Sequence, residues 1–350
     1  MTGRIAVVLF NLGGPDRPEA VEPFLANLFA DPAILSVPWP IRPVLARLIA
    51  KRRALVAREI YAKLGGASPL LAFTRRQADA LEARLAGDGV EIRAFVCMRY
   101  WNPMSDEVAR AVKAYDPERI VLLPLYPQLS TTTTGSSFKD WRRAARAADL
   151  ARPTHAVCCY PTEEGFIAAV AEMTRKALIE AAHAGAPRAL FSAHGLPKRV
   201  VARGDPYPAQ VEATAAAIAA KIGLASSGWM VCYQSRVGPL EWIGPSTSEA
   251  LERAGRDRVP AVVVPIAFVS EHSETLVELD IEYRHQAEQF GVPDYIRVPT
   301  VAEHPSFIAG LARLARAALA RPPGVCQPGD RDTCAGRFVR CANKRGLDSL

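Results

Sequence analysis

The chain reads as an α/β protein made of two Rossmann-like, doubly wound parallel-sheet halves and a C-terminal cysteine-bearing tail. Three observations lead there. Eight runs of strand length are apolar on both faces, helical patterns separate them, and the polar, glycine-rich segments follow the strand candidates. Strands buried on both faces belong to parallel sheets covered by helices. With 350 residues the chain can build two domains with their own cores. The halves are placed at residues 1–160 and 161–320, and the tail at 321–350.

"IAVVLF" is the first strand, too short for the core of a signal peptide, and it runs into "NLGGPD". "EIRAFVC", "RIVLLPLY" and "THAVCCY" complete the first half, with "SDEVARAVKAYD" as an intervening helix. The third strand leads into "YPQLSTTTTGSS". In the second half "RALFSAH", "GWMVCYQ", "AVVVPIAF" and "YIRVPT" are the strands, and "YPAQVEATAAAIAAKI" is a helix between them. Open α/β sheets bind ligands at the carboxyl ends of their strands, so function is expected in the segments that follow. "NLGGPD" lacks the GxGxxG spacing of a dinucleotide site. "STTTTGSS" suits either a phosphate cradle, though without the P-loop lysine, or a polar turn capping the next helix. No HExxH pair marks a zinc hydrolase, and Ser192 and Ser235 lack a GxSxG elbow.

Residues 270–283, "SEHSETLVELDIEY", read as an amphipathic helix with Glu274, Glu278 and Glu282 every four residues. Like charges at that spacing repel by a few tenths of a kcal/mol per pair. His194 ends one strand of the second half, and His272 and Glu274 leave another on the same side of the sheet. Histidine and glutamate facing one cleft can bind a divalent metal or relay protons.

The net charge of +7 is uneven: nine Lys or Arg and one acid, Glu59, lie between Arg42 and Arg76, interleaved with apolar residues. Such a stretch suits an anionic membrane surface, an acidic substrate or a solvated helix face. Nucleic acid is disfavoured, because no binding-module signature accompanies the charge. No apolar run approaches the roughly 18 residues of a membrane span, so a cytoplasmic location is the default. Nothing in the sequence sets an oligomeric state. Of seven cysteines, Cys326, Cys334 and Cys341 crowd the Pro- and Gly-rich tail, which has too little apolar content to fold without a cross-link. In a reducing compartment that grouping points to metal rather than disulfides.

"SAHGLPKRVVARGDPYP", "YQSRVGPLEWIGPST" and "VPIAFVSEHSETLVELDIEY" resemble the ferrochelatase family, whose members insert ferrous iron into a porphyrin at the end of haem synthesis. "LFNLGGPD", "IYAKLGGASPL", "MRYWNPMS" and "LYPQLSTTTTGSS" carry the same resemblance, which spans about residues 4–318. It implies a porphyrin cleft between two Rossmann-like halves. His194 and Glu274 would then face the macrocycle centre, one taking protons and the other handling iron. Glu278 and Glu282 would conduct protons or cations to the surface. Leu12, Tyr126, Trp242 and Phe268 would wall the porphyrin pocket; Arg53, Tyr61, Ser68 and Arg99 would hold propionates, since an arginine fork suits carboxylates. The basic apolar stretch at residues 33–53 matches the family's active-site lip and implies peripheral association with the inner face of the membrane.

Some ferrochelatases carry a [2Fe–2S] cluster on three tail cysteines and one upstream cysteine, and the resemblance extends to that type. Thr131 stands where the upstream cysteine of the animal pattern would be. Cys158 or Cys159 must substitute, and because adjacent strand residues point to opposite faces only one can serve. Cys158 is taken, with Cys326, Cys334 and Cys341. A chelatase placing cobalt in a sirohydrochlorin-type ring is the nearest rival. A haem or metal carrier without turnover is the other; it would need only an axial ligand, whereas paired His194 and Glu274 with an acid path favour an enzyme.

Overall fold

The computed structural model describes residues 3–87, 90–236, 238 and 240–326. The chain divides into two compact units, Met1–Cys159 with Leu311–Leu350, and Tyr160–Gly310. The first holds strands β1 (Arg4–Asn11), β2 (Glu91–Met98), β3 (Arg119–Pro124) and β4 (Thr154–Val157). The second holds β5 (Arg188–His194), β6 (Trp229–Gln234), β7 (Ala261–Pro265) and β8 (Tyr295–Arg297). A ninth strand, β9 (Gly324–Cys326), returns to the first sheet. Every pairing is parallel. The orders are β2-β1-β3-β4-β9 and β6-β5-β7-β8. Both follow the flavodoxin-like pattern, in which the order reverses beside the first strand and leaves a crevice at the carboxyl ends. In the second unit that switch lies between β5 and β7.

The strands form because their residues bury both faces. Ala6, Val8 and Phe10 of β1 pack against Val108, Phe138 and Trp141 of the helices Ser105–Tyr115 and Thr134–Ala147. Phe10 meets the Phe138 ring edge-on at 5.5 Å. In the second unit Leu190 and Val263 pack with Leu251 and Ala254 of the helix Thr247–Asp257 and with Leu279 and Tyr295. Ser246 and Glu249 close a reciprocal capping box at that helix's start. The helix Arg42–Ala62 is unusual, because it buries Ala46, Ala50 and Ala54 and leaves Val44, Leu48, Leu55 and Val56 exposed.

Three sequence expectations are corrected. The strand expected in "THAVCCY" stops at Val157, so Cys158 and Cys159 lie beyond the ladder and lose its alternation. Their sulfurs approach to 3.6 Å, which removes the opposite-faces reason for choosing between them. The stretch expected to be a separate tail from residue 321 starts as β9, with Val157 paired to Cys326, and the chain rejoins the first unit from Leu311. The acidic helix is not an α-helix: Glu274–Tyr283 winds as a π-helix of 10 residues, unusually long for a form mostly seen as single turns.

Candidate active site

His194 is the last residue of β5, so the end of the ladder delivers its imidazole to the switch point. Its Nδ1 lies 2.6 Å from the Gly195 carbonyl oxygen. A carbonyl can only accept, so Nδ1 carries the proton and Nε2 presents its lone pair when the ring is neutral. Nε2 lies 3.8 Å from Oε1 of Glu274, and Nε2 of His272 lies 3.6 Å from Oε2. Each carboxylate oxygen thus faces one imidazole. Burial alone would push the Glu274 carboxyl up, but the attraction of His194 and the contact with His272 outweigh it and hold the pKa at about 2. The Phe268 ring sits against the His272 imidazole with centroids 4.6 Å apart. Gly195 makes room for Trp242: a Cβ there would stand 3.2 Å from the indole, whose buried Nε1 has no partner among the described residues.

Glu278 has the opposite environment. Burial first, and the neighbouring Glu274 second, raise its pKa above the ordinary carboxylate range. Its oxygens accept from the Ser235 N–H at 2.8 Å, from the Ser235 hydroxyl and from Gln234 Nε2 at 3.0 Å. Ser235 reaches it twice because it adopts a left-handed backbone, φ 62°, which non-glycine residues rarely take. Gln234 is pinned in turn, its Oε1 accepting from Ser192 Oγ at 2.9 Å. Glu282 is exposed. The three acids therefore run from the imidazoles outward. Ser235, Gln234 and His272 were not among the expected site residues. His272 stands two residues from Glu274 in the sequence, whereas nothing in "YQSRV" marks a left-handed serine.

In the first unit Leu12, Tyr61, Phe29 and Trp101 share one apolar cluster at the carboxyl end of β1. The Ser68 N–H donates to the Pro15 carbonyl at 2.7 Å. A Cβ on Gly14 would stand 2.5 Å from the Ser68 hydroxyl, so glycine is required for that approach. Arg53 is exposed, its guanidinium 5.9 Å from the Phe29 ring centroid. Two expectations change. Arg99 donates from Nη2 to Asp31 at 2.8 Å and from Nε to Ser136 at 2.7 Å, and Nη1 faces Asp140 at 3.8 Å. Its fork is spent on a buried clamp that Tyr100 also joins through its hydroxyl, not on a free propionate grip. Tyr126 packs in the sheet–helix core with Phe138 and Trp141, so it is a core residue rather than a pocket wall.

Cys158 and Cys159 are fully buried. Cys334 and Cys341 lie outside the described residues, and of Cys326 only the backbone pairing is described.

A doubled flavodoxin-like sheet with an imidazole–carboxylate group at a strand end defines an α/β protein with its polar chemistry at the carboxyl ends of its strands. SirB from Bacillus subtilis superposes with a TM-score of 0.52 at 11% identity, covering 91% of this chain and 96% of that one, a likeness of fold alone. The family profile "Ferrochelatase" matches residues 4–319, and the chain belongs to the ferrochelatase family. It is 51% identical over 351 residues to a ferrochelatase of Caulobacter vibrioides, covering 100% of both chains. It is 52% identical over 345 residues to one of Phenylobacterium zucineum, covering 98% of this chain and 99% of that one. A ferrochelatase of Pelagibacter ubique matches at 47% over 88% of this chain and 90% of its own length.

Proposed function

We propose that this chain inserts ferrous iron into a porphyrin, protoporphyrin IX foremost, and that His194, Glu274, Glu278 and Glu282 carry the reaction. The observation that supports these roles is the geometry: each oxygen of Glu274 faces one imidazole, while Glu278 sits beside it on the Ser235 and Gln234 donors, so the first carboxyl is lowered and the second raised. Carboxyls pushed apart in this way divide acid–base work between them. Metallation exchanges two pyrrole N–H protons for one dication. His194 Nε2, its tautomer set by Gly195, accepts a pyrrole proton. Glu274 stays ionised, balances the imidazolium and draws the dication. Glu278 takes up protons and passes them to Glu282 at the surface. In the second unit Trp242 and Phe268 supply apolar contact for the ring. Leu12, as a ring contact, and Arg53, Tyr61 and Ser68, as propionate holders, are proposed from the family resemblance.

Two finer readings belong to the same proposal. Among the described residues no helix is long and apolar enough to cross a membrane. Trp39, Val44, Leu48 and Leu55 are nevertheless 75%, 67%, 46% and 68% exposed, and Arg47, Lys51 and Arg52 are exposed among them. That combination supports docking on the anionic inner face of a membrane from the cytoplasm. A [2Fe–2S] cluster on Cys158, Cys326, Cys334 and Cys341 is proposed from the family resemblance; the parallel pairing sets Cys326 beside Val157, and among the described residues no three His, Cys, Asp or Glu side chains are grouped to hold a metal ion. The thiolate quartet suits the cluster, which when bound would supply a cross-link for the tail.

Steady-state insertion of ferrous iron or zinc into protoporphyrin, followed by absorbance, tests the residue roles. His194→Ala and Glu274→Gln should each lower kcat by about 10²–10⁴-fold in protein that still folds. Either variant keeping most of its turnover overturns its assignment.

A further inference from the structure

The π-helix is gripped from one strand. Tyr295 and Arg297 of β8 are two residues apart, so both side chains leave the same face of the sheet. Arg297 is 8% exposed at the side chain and spends its whole fork on this segment. Nε donates to Asp280 Oδ1 at 2.8 Å, Nη2 to Asp280 Oδ2 at 2.5 Å, and Nη1 to Glu271 Oε1 at 2.7 Å. The Thr300 N–H also donates to that Glu271 oxygen, at 2.9 Å. Glu274 and Glu278 both lie between the two clamped acids. The Tyr295 hydroxyl donates to the Leu279 carbonyl at 2.6 Å, and Arg284 Nε to the Asp280 carbonyl at 3.2 Å. Arg284 Nη1 ties back to the Tyr295 carbonyl at 2.9 Å.

Such long π winding is uncommon and has to be held by contacts from outside the helix. Rewinding to α would change the angular step per residue, and the error would accumulate from the fixed end. Glu278 would then leave the Ser235 and Gln234 donors, and its relation to Glu274 would change. A buried carboxylate such as Glu271 persists only with a partner. The bidentate contact with Asp280 needs the planar fork of arginine, which lysine does not offer.

We propose that Arg297 and Tyr295 are positioning residues for iron insertion, holding the Glu274–Tyr283 segment in its π winding so that Glu274 and Glu278 keep their places. This rests on the reading that those two acids perform the chemistry. The test compares full-length Arg297→Lys, Arg297→Gln and Tyr295→Phe with Glu274→Gln in steady-state zinc insertion, alongside thermal melts. Arg297→Lys keeps the charge and loses the fork. It should lower kcat about 10- to 100-fold, as expected for a misplaced catalytic group, with KM for the porphyrin within twofold. Tyr295→Phe, a gentler change, should lower kcat severalfold on the same pattern. A folded Arg297→Lys with kcat within twofold of the parent overturns the proposal; if the Arg297 variants do not fold, unchanged kcat in Tyr295→Phe overturns it. If Glu274→Gln alone loses activity, only the positioning role fails; if Glu274→Gln also keeps its activity, the underlying site reading fails with it.

Discussion

Replacing Glu278 by glutamine keeps the shape of the side chain and removes its charge, and the structure sets the sign of the consequence. Three donors, from Ser235 and Gln234, favour the ionised carboxyl; burial and Glu274 oppose it and win, so the folded-state pKa is raised. A raised carboxyl contributes stability that is fully present below its unfolded pKa of about 4.3 and is lost as pH rises through the folded value. The parent should therefore lose stability across that window, and the glutamine variant should not. Each pKa unit is worth about 1.4 kcal/mol, or about 3–6 °C in Tm for a unit of 150–250 residues. The measurement is a set of thermal melts at pH 4, 5, 6, 7 and 8, with zinc insertion measured at pH 7. The Tm of Glu278→Gln relative to the parent should climb with pH while kcat falls, less severely than in Glu274→Gln. Simple relief of i,i+4 repulsion would be worth only about 0.2–0.5 kcal/mol per pair. A Tm difference that stays flat or shrinks from pH 4 to 8 would refute the electrostatic reasoning, and unchanged kcat would refute the conducting role.

Other outcomes follow from the same geometry. Protein purified without oxygen should be red-brown, and Cys326→Ser, Cys334→Ser or Cys341→Ser should each bleach it. Cys158→Ser and Cys159→Ser separate the two adjacent thiols: loss of colour in Cys159→Ser alone would move the ligand by one position. Val44→Glu with Leu48→Glu should weaken sedimentation with anionic vesicles and leave insertion into detergent-dispersed porphyrin unchanged. Binding of the parent that resists high salt and survives this double change would sink the membrane-docking reading.

The strands and their ligand-bearing ends were legible because Val7, Val121, Val263 and their neighbours are buried on both sides, which leaves an apolar run in the sequence. His194 was legible as the polar residue that ends such a run, and Glu274 as an acid in the polar segment that follows another. The π winding was not, since spacings of four fit an α-helix equally well and the contacts that hold the wider form come from Tyr295 and Arg297 on a later strand. Arg99 misled for a related reason: an arginine fork fits Asp31 as well as a propionate, and only the fold shows which is near. β9 escaped notice because three residues, "GVC", carry too little pattern to mark a strand.

The pairing of β9 with β4 also bears on how the protein is made. His155 lies opposite Gly324 in that ladder, so the second unit is synthesised in full before the first sheet can receive its last strand. Until then β4 is an open edge, with unpaired N–H and C=O groups that can recruit a strand from another chain. Closing a sheet across so long a loop is also slow. Nascent chains halted before residue 324 should therefore be the aggregation-prone species during expression. Shortening the chain at residue 320, which removes β9, should therefore reduce soluble yield.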